Sequence, residues 1–186
     1  RNSGCIKVFS KEDGKFIPLT QLNVDTGLGV ERVAMILEGG KTVYDMSTVK
    51  PIYDIVKKFA LQEKALSEDA QEYSVRVITD HMRAATMILG DERDVAPSNV
   101  DQGYVLRRII RRSIRHFFLL KATENIPSKL EEIALKVIEI FGESYPTVLS
   151  KKEYIISQLK GESEKFTKTI QKGLSLIEKE MKGRMF

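Results

Sequence analysis

A chain of 186 residues, 42% of them hydrophobic and 30% charged, is long and apolar enough to build a core as one large or two small domains, which excludes global disorder. No apolar run approaches the ~20 residues of a membrane span and Arg1-Asn2-Ser3-Gly4 lacks the apolar centre of a signal peptide, so no membrane partner is expected and a reducing cytoplasm is the expected compartment. The single Cys5 rules out an intramolecular disulfide, and with only His81 and His116 beside it no Cys/His zinc cage is possible and no metal ligand set is expected. The net charge of +4 is local. Tyr104 to Lys121 holds five arginines and one lysine with no acid, which leaves the remainder at −2. The chain opens without an initiating Met, in mid-motif, which predicts a piece of something longer.

In chain order, Cys5 to Phe9 and Lys15 to Pro18 read as short strands around the turn signal Glu12-Asp13-Gly14, and Leu22 to Val24 as a third strand. The run Asp25-Thr26-Gly27-Leu28-Gly29 is then a Gly-rich turn, followed by a helix from Val30 to Glu38 that Gly39-Gly40 ends. Everything later reads as helix. Segments are predicted over Thr48 to Leu66, from a Ser74 cap to Leu89, and over Tyr104 to Leu120 after a loop Asp91 to Gly103. Two more open at the capping boxes Ser128 to Glu131 and Ser150 to Glu153. In the last of them Leu159, Phe166, Ile170, Leu174, Ile177 and Met181 form a stripe expected to be helix-bundle core, interrupted for a coiled-coil seam by Gly161 and Gly173.

Two constellations bear on chemistry. Glycines between a strand and a helix let the backbone approach a phosphate, yet no Gly-Lys-Ser/Thr follows and Arg32 stands where a dinucleotide motif needs its third glycine. What remains is an acid before the turn and an arginine one helical turn after it, suited to an ammonium group and a polyphosphate oxygen, or else a plain Gly-rich turn with a solvated arginine. In the basic segment Arg108, Arg112 and Arg115 share one helix face, with Arg107 and Arg111 on an adjoining one. Such a stripe either follows a phosphate backbone or is a solvated face with packing stems. Tyr104 is either a stacking ring or a core anchor. His81 reads as a hydrogen-bonded core imidazole, His116 as a further cation near a helix C-terminus, and Cys5 as inert.

The string Val24-Asp-Thr-Gly-Leu-Gly-Val-Glu-Arg32 resembles the third signature motif of class II aminoacyl-tRNA synthetases in the form typical of the alanyl-tRNA synthetase family. Arg76-Val-Ile-Thr-Asp-His-Met-Arg83 and Pro97-Ser-Asn-Val-Asp-Gln-Gly-Tyr-Val-Leu-Arg-Arg-Ile-Ile-Arg-Arg112 resemble two later stretches of the same family, in the same order. The resemblance implies a mainly α fold: the end of a class II catalytic domain at residues 1–44, a small antiparallel β remnant, followed by a helical tRNA-recognition domain at 45–186. It implies that Arg32 reaches the γ-phosphate of ATP, that Asp25 faces the amino group of alanine, that Gly27 and Gly29 keep the pocket floor low, and that Asn2 lines the same pocket. Asn99 matches the asparagine that touches a G·U wobble pair in the acceptor stem of tRNA-Ala, against which the arginine helix lies. Val100-Asp101-Gln102 departs from the family pattern by a neutral Gln102 where a positive side chain is usual, and Ser3-Gly4-Cys5 is less apolar than the family pattern. The implied reaction adenylates alanine with ATP and Mg²⁺ and transfers it to tRNA-Ala; the family's zinc module is expected outside this piece. Motifs one and two have no match here, so the piece alone is expected to be inactive in adenylation. The rival reading is a stand-alone helical RNA- or DNA-binding module without ATP chemistry.

Overall fold

The computed structural model describes the chain except residues 1, 7–8, 13–14, 19–22, 61–65 and 184–186, and describes side chains from residue 27 onward apart from 178, 182 and 183. The described chain is mainly helical and divides into two compact units, Arg1–Ser47 and Thr48–Phe186.

In the first unit β1 (Asn2–Ile6) pairs antiparallel with β4 (Asn23–Gly27), and β2 (Phe9–Glu12) pairs antiparallel with β3 (Lys15–Pro18). These are two separate two-stranded pairs, not one continuous sheet. β4 runs through Asp25, Thr26 and Gly27, which the sequence reading assigned to a turn, because that stretch is paired residue by residue with β1 from Asn2 to Gly4. The turn is thereby reduced to Leu28-Gly29. Helix α1 (Val30–Leu37) starts at Gly29 as N-cap and closes with Gly39 at φ +71°, a left-handed conformation that glycine adopts without steric cost. A 3-10 turn, Val43–Asp45, is held by the Asp45 carboxylate, which accepts from the backbone N–H groups of Thr42 at 2.8 Å and Lys41 at 3.1 Å.

The second unit is a helical bundle of α2 (Lys50–Ala60), α3 (Glu68–Leu89), α4 (Asp101–Leu119), α5 (Ile126–Phe141), the short α6 (Pro146–Ser150) and α7 (Lys152–Gly183). Periodic apolar residues on each helix meet in one core, including Ile52, Val56, Ile78, Met82, Leu89, Leu106, Ile110, Ile114, Phe117, Leu130, Ile133, Ile155 and Leu159, all buried. Burial of each such side chain contributes about 1.5–3 kcal/mol. α3 packs most extensively on α4, so the arginine helix rests on the best-supported wall of the bundle.

Several helix boundaries differ from the periodicity reading. α3 begins two turns earlier than the expected Ser74 cap, and Ser74 instead lies buried mid-helix with its hydroxyl donating to the Ala70 carbonyl at 2.9 Å. α5 begins at Ile126, with Asn125 in the left-handed region and Pro127 in the first turn, so the Ser128 box lies inside the helix. The Ser150 hydroxyl donates back to the Thr147 carbonyl and closes α6 instead of opening α7. The apolar stripe of α7 is core only in its first half. Leu159 is buried, whereas Leu174, Ile177 and Met181 are 49%, 57% and 64% exposed, because α7 outruns the helices it packs on. Gly161 and Gly173 lie inside one continuous helix.

Candidate nucleic-acid interface

The basic surface is built on α4 and on the loop that feeds it. Gly103, in the first turn of α4, takes the backbone of that loop so closely that a Cβ there would collide with the Ala96 carbonyl and the Ser98 hydroxyl. The Ser98 N–H donates to the Gly103 carbonyl at 3.0 Å, and the Ser98 hydroxyl donates to the Val100 carbonyl at 2.8 Å. At its other end the loop is held by the Lys151 ammonium, which donates at 2.6 Å to both the Asp91 carbonyl and the Asp94 carboxylate. Asn99 sits between the two residues that make this lock, is exposed, and spends its amide on no described residue. The loop therefore presents an amide from a fixed backbone.

The five arginines divide into roles that sequence spacing does not reveal. Arg111 is committed to structure: its Nε donates to the buried Glu162 carboxylate of α7 at 2.5 Å, and its guanidinium lies 5.1 Å from the Phe166 ring centroid. The absence of an acid from Tyr104 to Lys121 is thus answered from α7, 51 residues further along the chain. Arg108 lies 5.7 Å from the ring of the half-exposed Tyr104, and Arg112 donates to the Tyr73 hydroxyl at 3.0 Å. Neither contact neutralises the charge. Arg107 and Arg115 meet no carboxylate among the described residues, so four of the five guanidinium groups keep an uncompensated charge on one helix.

Beneath that face lies His116, 4% exposed, its Nδ1 3.0 Å from the Ser74 hydroxyl and its ring edge-on to Tyr73 at 5.7 Å. Since Ser74 spends its one proton on Ala70, Nδ1 is the donor in this contact. Burial first, then Arg112, Arg115 and His81, hold His116 down to about 4. This corrects the reading of His116 as an additional cation at the helix end. His81 is likewise lowered, by burial and then by Arg112, with Asp80 opposing.

In the first unit the β1–β4 register places residues 2 and 27 opposite each other and residue 25 two along from 27, so these positions share one face of the pair. The side chains of Asn2 and Asp25 lie outside the described residues. Gly27 and Gly29 are exposed, and Arg32 is exposed in the first turn of α1 with no carboxylate partner among the described residues. Ser98, Gly103, Lys151, Glu162 and Tyr73 were not singled out from sequence. Only Gly103 left a trace there, as a glycine at the opening of a strongly amphipathic helix.

A family model described as tRNA synthetases class II (A) matches residues 5–185, through both units, and the chain belongs to that family. The chain is 38% identical over 168 residues to the alanine–tRNA ligase of Thermoanaerobacter sp. (strain X514), covering 90% of this chain and 18% of that protein. It is 41% identical over 169 residues to alanine–tRNA ligase 1 of Lachnoclostridium phytofermentans, and 34% over 171 residues to the alanine–tRNA ligase of Fervidobacterium nodosum, covering 90% and 92% of this chain and 18% and 19% of theirs. It thus spans less than a fifth of the curated relatives it matches.

Proposed function

We propose that the chain is the segment of an alanine–tRNA ligase in which the end of the class II catalytic domain, about residues 1–44, passes into the helical tRNA-recognition domain at 45–186. The two β pairs are read as a remnant of the catalytic sheet. The parent reaction is adenylation of alanine with ATP and transfer of the alanyl group to tRNA-Ala in the cytoplasm. A family match that runs through both units supports this over a free-standing RNA- or DNA-binding helical module, which has no reason to carry the Asp25 to Arg32 segment.

For ATP the fit rests on Arg32, an exposed guanidinium one turn beyond two exposed glycines at the N-terminus of α1, where anionic oxygens are favoured. Asp25 is assigned to the amino group of alanine, Asn2, Gly27 and Gly29 to the pocket wall and floor. Magnesium is assigned to ride on the nucleotide; among the described residues no three carboxylate, histidine or cysteine groups cluster to hold an ion. ATP with its metal would supply the adenylyl group, its outer two phosphates leaving as pyrophosphate, and this chain's part would be to bind and orient the nucleotide.

The observation that carries the reading is Asn99, a free amide on a locked loop at the head of a helix with four uncompensated guanidinium groups. An amide both donates and accepts, and the shallow minor groove of an RNA helix is where base edges can be reached. Arg107, Arg108, Arg112 and Arg115 position the acceptor stem through its phosphates, with Tyr104 beside them, while Arg111 holds the helix in place. The test is a titration of the chain with acceptor-stem minihelices bearing G·U or G·C at the wobble position. Asn99→Ala is expected to remove about 1–3 kcal/mol of discrimination between them. Equal weakening toward both stems overturns the base-reading role.

A further inference from the structure

The distal half of α7 has two opposed faces: an apolar one, met at Phe166 by Arg111 of α4 and exposed from Leu174 onward, and a basic one. Phe166, Ile170, Leu174, Ile177 and Met181 prolong the core face past the end of the bundle. At 100° per residue, Lys168, Lys172, Ser175 and Lys179 fall on the opposite side, at i, i+4, i+7 and i+11. Together with Gln171 and Leu176 they line a shallow groove of about 480 Å³ that contains no carboxylate. All three lysines are exposed, and none is ion-paired among the described residues; Glu164, one turn before Lys168, forms no bridge to it. This differs from Lys160 earlier on the helix, which is tied to Glu131 at 2.7 Å.

Resting on the acceptor-stem reading, we propose that this lysine row is a second contact to the same RNA, taking backbone phosphates and reading no base. The row runs about 16 Å along the helix axis. A duplex carries one phosphate charge per about 1.7 Å of axis, so a row of that length faces more phosphates than it has lysines. Lysine is a hydrated point charge on a flexible stem, suited to attraction without bidentate geometry, whereas the arginine forks of α4 suit defined contacts. The Arg111–Glu162 pair is what makes the two basic faces a unit. It fixes α7 against α4 at Glu162, less than two turns before Lys168, so the row is held in a set relation to the arginine face.

The experiment is the salt dependence of minihelix binding by the full chain, wild type against Lys168→Gln/Lys172→Gln/Lys179→Gln. Glutamine has nearly the helix propensity of lysine, so α7 is retained, which far-UV circular dichroism checks. The slope of log K against log salt is expected to fall by about 2–2.7 for three lost phosphate contacts, with the G·U preference unchanged. The triple Lys→Arg variant is expected to keep the wild-type slope. An unchanged slope in the glutamine variant overturns the lysine row while leaving Asn99 and α4 in place. Absence of any wild-type binding at about 50 mM salt overturns the RNA reading, and the row with it.

Discussion

His116 shows how one buried side chain sets the electrostatics of a surface it does not reach. Because it stays neutral, the charge of the α4 face rests on guanidinium groups alone and does not titrate near neutral pH. The unfolded imidazole has the ordinary value near 6.5, and the folded one sits at about 4, so between those values the unfolded chain binds the extra proton. Stability from this group is fully present above about 6.5 and is lost as pH falls toward 4. The expected loss is on the order of 2–3 kcal/mol, seen as a lower urea midpoint at pH 4.5 than at pH 7. His116→Leu, which cannot charge, is expected to flatten that dependence; an equally steep dependence in the variant counts against the assignment. Nothing in the spacing of α4 distinguishes His116 from a surface cation, since its burial is created by Tyr73 and Ser74 of a helix 42 residues earlier.

The loop before α4 and the helix itself behave as one element. Gly103 is the point where the two backbones touch, and a side chain there must push the loop away. Gly103→Ala is expected to cost about 1–3 kcal/mol of stability and to reduce G·U discrimination as much as Asn99→Ala does, although residue 103 carries no side chain toward RNA. Retention of full discrimination in this variant would show that the lock does not position Asn99. Periodicity finds helices α2 to α5 and α7 in their order and puts the arginines on the right helix, because those features are local and repeat every 3.6 residues, although it starts α3 two turns late. The boundaries at Ser74 and Ser150 are misplaced, since a hydroxyl that caps a helix and one that donates back to its own i−4 or i−3 carbonyl look alike in sequence, while α5 opens ahead of Ser128, at Ile126. The fate of Arg111 was hidden for a different reason: its carboxylate comes from α7 and is brought to it only by tertiary packing.

At the scale of the whole molecule, the proposed function gives this chain one part of a larger adenylation site. In that reading it contributes the segment with Arg32, whereas the family's α-phosphate arginine belongs to a motif without a match in these 186 residues. Oriented charge at the transferring centre supplies most of such catalysis, so the 186-residue chain is expected to show no alanine-dependent pyrophosphate exchange above a buffer blank. Measurable exchange would contradict that. The overhanging half of α7 has a consequence of another kind. On the proposed reading, substitutions of its exposed lysines change affinity with almost no penalty in folding, while a change at Arg111 of α4 also breaks the pair to Glu162. Evolutionary tuning of grip strength has its freest ground on that protruding arm.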